Sequence, residues 1–469
     1  MKSLLINPPY LKYVYENRKD AASIDAPLSL AYIAAVLEKN GLKVEILDAN
    51  AHNMSLGKTA QYVKESDAQL VGITATTTVI PVVYKLAKAI KAVCGKAIVV
   101  GGPHVSFEAE RTLRECPQID MIVRGEGEIT FLSLAKAGGR PENIPGISYR
   151  KGRRIIHNNP RDPIENIDSL PFPARHLLPM HLYNSGSMIS KGNDGLRYAS
   201  VITTRGCPNK CVYCSSSHFW GTRVRFRSPE NVVEEVEHLQ RSYGTREIFF
   251  KDDTFTFSPV RTEQICDLII SKGIDIKWSC YARVNTISEK LLRKMVKAGC
   301  FALDFGIESG NQDVLDRIHK NITLEQAEAA VKLSKSMGVM VYASFMFGLP
   351  SENMKRAKET IDFAVKISPD IAQFFITTPF PGTELYTEAV EKGWIKEIES
   401  WGKLNIITNR EYRNDDLTND QIHMLMSMAY KKFYFRPPFI LQAMKRLVRD
   451  PVGLAPKYLK GGLAVLNLL

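Results

Sequence analysis

The sequence predicts an α/β protein: a Rossmann-like parallel-sheet domain, then a partial (β/α)6 barrel, then a mostly helical extension. Three observations predict it. Short apolar runs alternate with helically spaced segments over residues 1–137, and a second alternating series with six strand-like runs occupies 196–390. Between them, 138–195 is a proline-punctuated connector. A chain of 469 residues also exceeds what one hydrophobic core serves.

The first unit opens with the apolar run "SLLIN", which Pro8 and Pro9 end, and "LSLAYIAAVLEKNG" follows with helical spacing and a glycine stop. "KVEILD", "LVGITAT", "AIVVGG" and "MIVRG" are further buried-strand runs, with helical stretches such as "VYKLAKAIKAVCG" and "FEAERTLRE" between them. Parallel sheets covered on both faces bind ligands beyond the carboxyl ends of their strands. The unusual residues fall there: Asn7-Pro8-Pro9, Thr74 to Thr78, Gly101-Gly102-Pro103-His104 and Gly125-Glu126-Gly127-Glu128. In the connector, "GISYRKGRRIIHNNP" reads as a hairpin. The barrel strands are "ASVITT", "EIFFKDD", "IKWSCYARV", "FALDFGIES", "MVYASFMFG" and "IAQFFITTPF", about three quarters of an eight-fold barrel. Residues 391–469 form the basic extension.

Composition is that of an ordinary globular protein, and no apolar stretch reaches the roughly 18–20 residues that span a bilayer. The N-terminus has too short an apolar run for a signal peptide, so a cytoplasmic protein is expected. The net charge of +12 is concentrated: from Ala429 onward eight Lys or Arg stand against one acid, so the rest of the chain is near neutral. That distribution argues against a nucleic-acid partner.

"TTRGCPNKCVYCSS" places Cys207, Cys211 and Cys214 within eight positions, directly after the first barrel strand. Thiolates so spaced are soft chelating ligands. One reading is a Cys3His zinc site completed by His218. The other is a [4Fe–4S] cluster on three cysteines, with one iron lacking a protein ligand. Position at the carboxyl end of a barrel strand favours the second.

The triplet resembles the signature of the radical S-adenosylmethionine enzymes, C-x-x-x-C-x-aromatic-C, with Tyr213 as the aromatic. The resemblance implies that S-adenosylmethionine chelates the open iron, which explains why no fourth cysteine follows. It also implies cosubstrate contacts from Tyr213 beside the adenine, and from Asp252 and Asp253 in "KDDTFT" at the methionine end. "GIESG" supplies Gly306, Glu308 at the ribose, and Ser309. "FGLP" and "TPFPGTELY" close the last two strands. Cys207, Cys211 and Cys214 are the implied metal ligands.

The first unit resembles the cobalamin-binding domain that precedes the barrel in one subgroup, through "NPP", "APLSLAYIAAVLEKNG", "VVGGPH" and "RGEGE". The resemblance implies a corrin cradle from Asn7, Pro8, Thr74, Thr76, Gly101, Gly102, His104, Gly125 and Glu126. The D-x-H-x-x-G motif that supplies a cobalt histidine elsewhere is absent; His104 is a candidate neighbour of the cofactor. Methylthiotransferases share the outline but need three more cysteines in the first domain, where this chain has only Cys94 and Cys116.

The resemblance implies a 5′-deoxyadenosyl radical that takes hydrogen from an unactivated carbon. In a class B methyltransferase, cobalamin then delivers a methyl group to that carbon. The alternative with the same cofactors is a non-methylating radical cyclase acting on a lipid or tetrapyrrole. Partners would be a small-molecule, lipid or peptide substrate and an electron donor such as ferredoxin or flavodoxin. The tail "YKKFYFRPPFILQAMKRLVRD" mixes cations with apolar residues, as does a helix resting on an anionic membrane surface; a barrel-capping helix is the plainer reading.

Overall fold

The computed structural model describes residues 1–14, 24–183, 197–395 and 401–449. The first sheet has parallel strands β1 (Ser3–Asn7), β2 (Val44–Asp48), β3 (Leu70–Thr74), β4 (Ala97–Gly101) and β5 (Met121–Val123) in the order β2-β1-β3-β4-β5. Successive side chains alternate between its faces, which is why the strands read as continuous apolar runs. Leu4, Ile6, Val71, Ile73, Ile98 and Val100 pack on one side. Leu5, Leu70, Val99 and Val123 pack on the other. Because β1 lies between β2 and β3, the winding reverses there and opens a crevice beyond the strand ends.

The hairpin read in the connector is β6 (Ile147–Lys151) with β7 (Arg154–His157), and it does not hang free. It pairs antiparallel with β5 and completes a seven-stranded sheet. Ile147 and Tyr149 are buried against β5, so covering an open edge decides where the hairpin sits.

The second sheet carries β8 (Arg197–Val201), then β9 (Thr204–Arg205) and β10 (Arg225–Phe226) as a small antiparallel ladder. It continues with β11 (Thr245–Phe250), β12 (Lys277–Ala282), β13 (Cys300–Glu308), β14 (Met340–Phe347) and β15 (Ile371–Ile376). The six long strands are parallel and follow chain order from β8 to β15, a partial barrel. Val201, Phe250, Phe305, Phe345 and Phe374 point outward into the helix-covered core. Ser228, Ser258, Ser288, Thr323, Asn353 and Thr383 each cap the start of the helix that follows, a contribution of about 1 kcal/mol apiece.

The extension does two jobs. Its helix Asn419–Tyr434 closes the barrel's open edge: Tyr434 donates to the Ala372 carbonyl at 2.8 Å, and the Tyr430 ring meets Phe374. Upstream, Trp401 reaches back into the core of the first sheet, donates to Glu115 at 3.2 Å and lies under the Arg111 guanidinium. The helix Pro437–Arg449 continues from the edge helix. Residues 396–400, 450–469 and 184–195 of the sequence-defined segments lie outside the described residues. Among the described residues no helix is long and apolar enough to cross a membrane.

Candidate functional site

The cysteine segment leaves β9, whose Arg205 precedes Gly206 and Cys207. Gly206 has φ 104°, and an added Cβ there would strike the Arg223 carbonyl. Only glycine permits this approach. Cys207 N–H donates to the Gly221 carbonyl at 3.1 Å, fastening the loop. All three thiols are free. The Asn209 amide donates to Cys207 Sγ at 3.6 Å and the Ser216 N–H to Cys214 Sγ at 3.5 Å. Burial pushes the Cys214 thiol up to about 12, so its thiolate form calls for a cationic group.

Among the described residues no three His, Cys, Asp or Glu side chains converge closely enough to hold a single ion. The mononuclear reading with His218 therefore lacks support: His218 is exposed on its own short helix. Three free thiols spread around one loop fit a larger, polynuclear group.

Beside the loop, Glu308 ends β13 with φ 73°, a left-handed conformation uncommon for a residue with a Cβ. Tyr213 donates to Glu308 Oε1 at 3.0 Å, and Lys320 Nζ lies 2.7 Å from the same oxygen. Gly306 makes room, since a Cβ there would press on both Glu308 and Lys320. Tyr213, Gly306 and Glu308 thus come together beside the cysteine loop. Lys320 was missed, because nothing about a lysine in the following loop marks it.

Other expected contacts are placed differently. Asp252 is fully buried and accepts from the Thr203 and Thr204 N–H groups and the Thr203 hydroxyl; it ties the end of β11 to the segment that follows β8. Ser309 is buried, with its hydroxyl 3.1 Å from Thr360, an anchor for the helix behind β13. Asp253 accepts from Ser216 within the cysteine segment. Burial raises the pKa of both carboxyls.

The crevice of the first sheet opens toward this loop. A cavity of about 170 Å³ is lined by Thr74, Gly101, Gly102, Gly125 and Glu126 from the strand ends, and by Arg205, Phe219 and Trp220 from the barrel side. It continues inward past Gly72, Tyr32 and Phe131. A Cβ on Gly125 would meet nothing within 4 Å, so the backbone there faces open space. The residues fit a corrinoid.

Four residues of the expected cradle do not line the cavity. Asn7 donates to Asp48 at 2.9 Å and is buried, as is Pro8. Thr76 is exposed beside Thr78. His104 is 1% exposed, its Nδ1 3.2 Å from Thr77 Oγ1 and its ring edge-on to Trp401 at 4.7 Å. Burial lowers its pKa to about 4. It packs in the core against Trp401 and is not among the residues that line the cavity.

Glu126 lines the cavity but its carboxylate is engaged elsewhere. Arg205 reaches it at 2.9 Å, Arg225 pairs with its other oxygen, and the Ile164 N–H donates to it. Arg205 also pairs with Glu128 and lies over the Trp220 and Tyr32 rings. This buried cluster joins the two domains beside the cysteines.

A family model described as the radical SAM superfamily matches residues 201–364, and one for the B12 binding domain matches 20–135. The chain is 39% identical to an uncharacterized methyltransferase of Pyrococcus horikoshii, over 94% of each chain. It is 28% identical to cytidylyl-2-hydroxyethylphosphonate methyltransferase of Streptomyces wedmorensis, covering 85% of this chain and 83% of that one. It is 29% identical to anaerobic magnesium-protoporphyrin IX monomethyl ester cyclase of Rubrivivax gelatinosus, covering 94% and 78%. The fold is shared with two solved structures. OxsB with aqua-cobalamin and S-adenosylmethionine superposes with TM-score 0.72 at 17% identity, covering 92% of this chain and 67% of that one. The methyltransferase TsrM of Kitasatospora setae, with cobalamin and a [4Fe-4S] cluster, does so with TM-score 0.68 at 19% identity, covering 83% and 78%.

Proposed function

From the premise that this chain belongs to the cobalamin-dependent radical S-adenosylmethionine enzymes, we propose that it is a class B methyltransferase that C-methylates an unactivated carbon. The observation that carries the reading is the meeting of the three-cysteine loop and the glycine-lined crevice across the Arg205–Glu126–Glu128 bridge. The loaded cofactors supply radical generation from S-adenosylmethionine and a carrier for the methyl group.

The chain's own residues place and shield. Cys207, Cys211 and Cys214 would hold the [4Fe–4S] cluster. Tyr213, Glu308 and Lys320 form a prebuilt polar patch for the sugar of S-adenosylmethionine, and Asp253, held by Ser216 of the cysteine segment, would serve its methionine end. Thr74, Gly101, Gly102 and Gly125 would cradle the corrinoid. Phe219 and Trp220 close the gap against water, which strengthens every polar contact inside.

The test needs no substrate. Reconstituted protein given chemically reduced cobalamin and S-adenosylmethionine should release S-adenosylhomocysteine in proportion to the cobalamin. A methyl-transfer enzyme gives this product; a radical cyclase, favoured by the likeness to the Rubrivivax gelatinosus protein, gives only 5′-deoxyadenosine.

A small electron carrier such as ferredoxin or flavodoxin would reduce the cluster. Peripheral membrane contact through the tail also belongs to this reading. On the helix Pro437–Arg449, Ile440, Leu441, Met444 and Val448 are 43%, 57%, 60% and 82% exposed. They lie beside the exposed Lys445, the pattern of a helix lying in a membrane interface.

A further inference from the structure

Side chains of the barrel strands alternate between the helix-covered core and the lumen. Trp278 and Cys280 of β12, Leu303 and Phe305 of β13, Val341 and Ala343 of β14, and Ala372 and Phe374 of β15 all pack outward. Their neighbours Tyr281, Asp304, Ser344 and Gln373 therefore face in, and each is only partly buried or exposed. In register, Asp304 sits between Tyr281 and Tyr342. Tyr281 is 40% exposed although it lies inside a barrel, and its ring stands edge-on to Phe249 at 4.9 Å. On the adjacent strands β14 and β15 Ser344 donates to its register partner Gln373 at 3.3 Å.

The charged groups facing this space come from several elements. Asp25 of the first unit is paired with Lys251 at 2.6 Å, and Glu308 with Lys320. Glu247 of β11 is buried. Tyr198 of β8 donates to Asp25 at 2.9 Å, and β15 contributes no ionisable side chain. Asp304 differs from these acids: no hydrogen bond or ion pair holds its carboxyl among the described residues. Burial, with Glu308 as like-charged neighbour, raises its pKa to about 7. A carboxyl left without a partner in a confined space is costly unless a ligand supplies one.

We propose that Asp304, with the Tyr281–Phe249 aromatic wall, is the substrate-recognition point of the barrel lumen, and that it takes the ammonium or other cationic nitrogen of a substrate whose neighbouring part is aromatic or flat. This rests on the reading of the chain as a radical enzyme only in naming the bound molecule its substrate. Among the described residues named above, the acids Asp25, Glu247, Asp304 and Glu308 outnumber the cations Lys251 and Lys320, so an anionic group at this depth is disfavoured. Lys251 already stands over the Phe249 ring at 5.9 Å, so the half-exposed Tyr281 ring is the face left to a cation or a flat ring.

The test uses the reconstituted full chain and three probes of one shape: benzylammonium, neutral benzyl alcohol and benzoate. Ligand-observed NMR titrations should rank them in that order. Asp304→Asn should cut benzylammonium affinity about tenfold or more while leaving benzyl alcohol unchanged, since one charge-assisted hydrogen bond is lost. Asp304→Glu should keep the ammonium preference, which separates recognition from misfolding. Benzoate binding as well as benzylammonium, or a preference that survives Asp304→Asn, overturns the proposal. So does a parallel loss of S-adenosylmethionine affinity, which would place Asp304 on the cosubstrate. Iron content measured on the same samples reports separately on the reading of the cysteines.

Discussion

Arg205 Nη1 stands 2.9 Å from Glu126 Oε2, two nearly buried side chains from different domains. Arg205 lies two residues before Cys207, and Glu126 lies beyond β5 at the crevice. The relationship makes one buried ion cluster the ruler between the two halves of the site. Its other members are Glu128 and Arg225.

Arg205→Met should cost about 3–5 kcal/mol, because it strands the Glu128 carboxylate in a low-dielectric setting. Arg205→Met with Glu128→Gln removes the stranded charge and should recover part of that loss. A urea-unfolding double-mutant cycle measures it. Additive losses would mean the two residues do not act as a pair.

Gly206→Ala should impair cluster assembly more than folding. The φ of 104° and the Arg223 carbonyl leave no room for a Cβ, so the cysteine loop must shift while the barrel core stays intact. The expected outcome is reduced iron and a weaker absorption band near about 400 nm after reconstitution, with the far-UV spectrum retained. Replacing all three cysteines with alanine should abolish the band.

His104 predicts a pH dependence with a definite sign. Its pKa falls from 6.5 unfolded to about 4 folded because burial opposes the charged form. The unfolded chain therefore binds the extra proton first. Stability from this group is complete above pH 6.5 and is lost progressively as pH falls toward 4, by about 3 kcal/mol. Denaturant titrations at pH 7 and pH 4.5 on the parent and His104→Phe should show a smaller acid loss in the variant. An identical loss in both proteins would place the acid sensitivity elsewhere.

Leu441 and Met444 present exposed apolar surface on the last described helix. If the helix rests on lipid, the full chain should sediment with phosphatidylserine-containing vesicles at low salt and less at high salt. Leu441→Ser with Met444→Ser should abolish this without changing the melting temperature, since neither side chain is packed in the core. Sedimentation that the double variant retains would remove the membrane reading.

The Cys207–Cys211–Cys214 spacing and the six strand runs were legible in the sequence. Both depend on local rules: period-2 burial, helix caps such as Ser228 and Ser288, and a loop chelate within eight residues. The parallel order of each sheet followed from the alternation with helices. Contacts between distant segments were not legible. Which edge the 147–157 hairpin would cover, and that Trp401 would return to the first domain, depend on competing surfaces that only the folded chain brings together. The same holds at the site. Asn7, Ser309, Asp252 and His104 carry the right chemistry at or near strand ends, but tertiary packing gives each a protein partner, Asp48, Thr360, the Thr203–Thr204 backbone and Thr77 respectively. Lys320 and Arg205 gained their places because Glu308, Glu126 and Glu128 had to be neutralised on burial. Asp304 was left without such a partner. Sequence position alone does not reveal which buried charge is paired, because pairing is decided by the geometry of elements far apart in the chain.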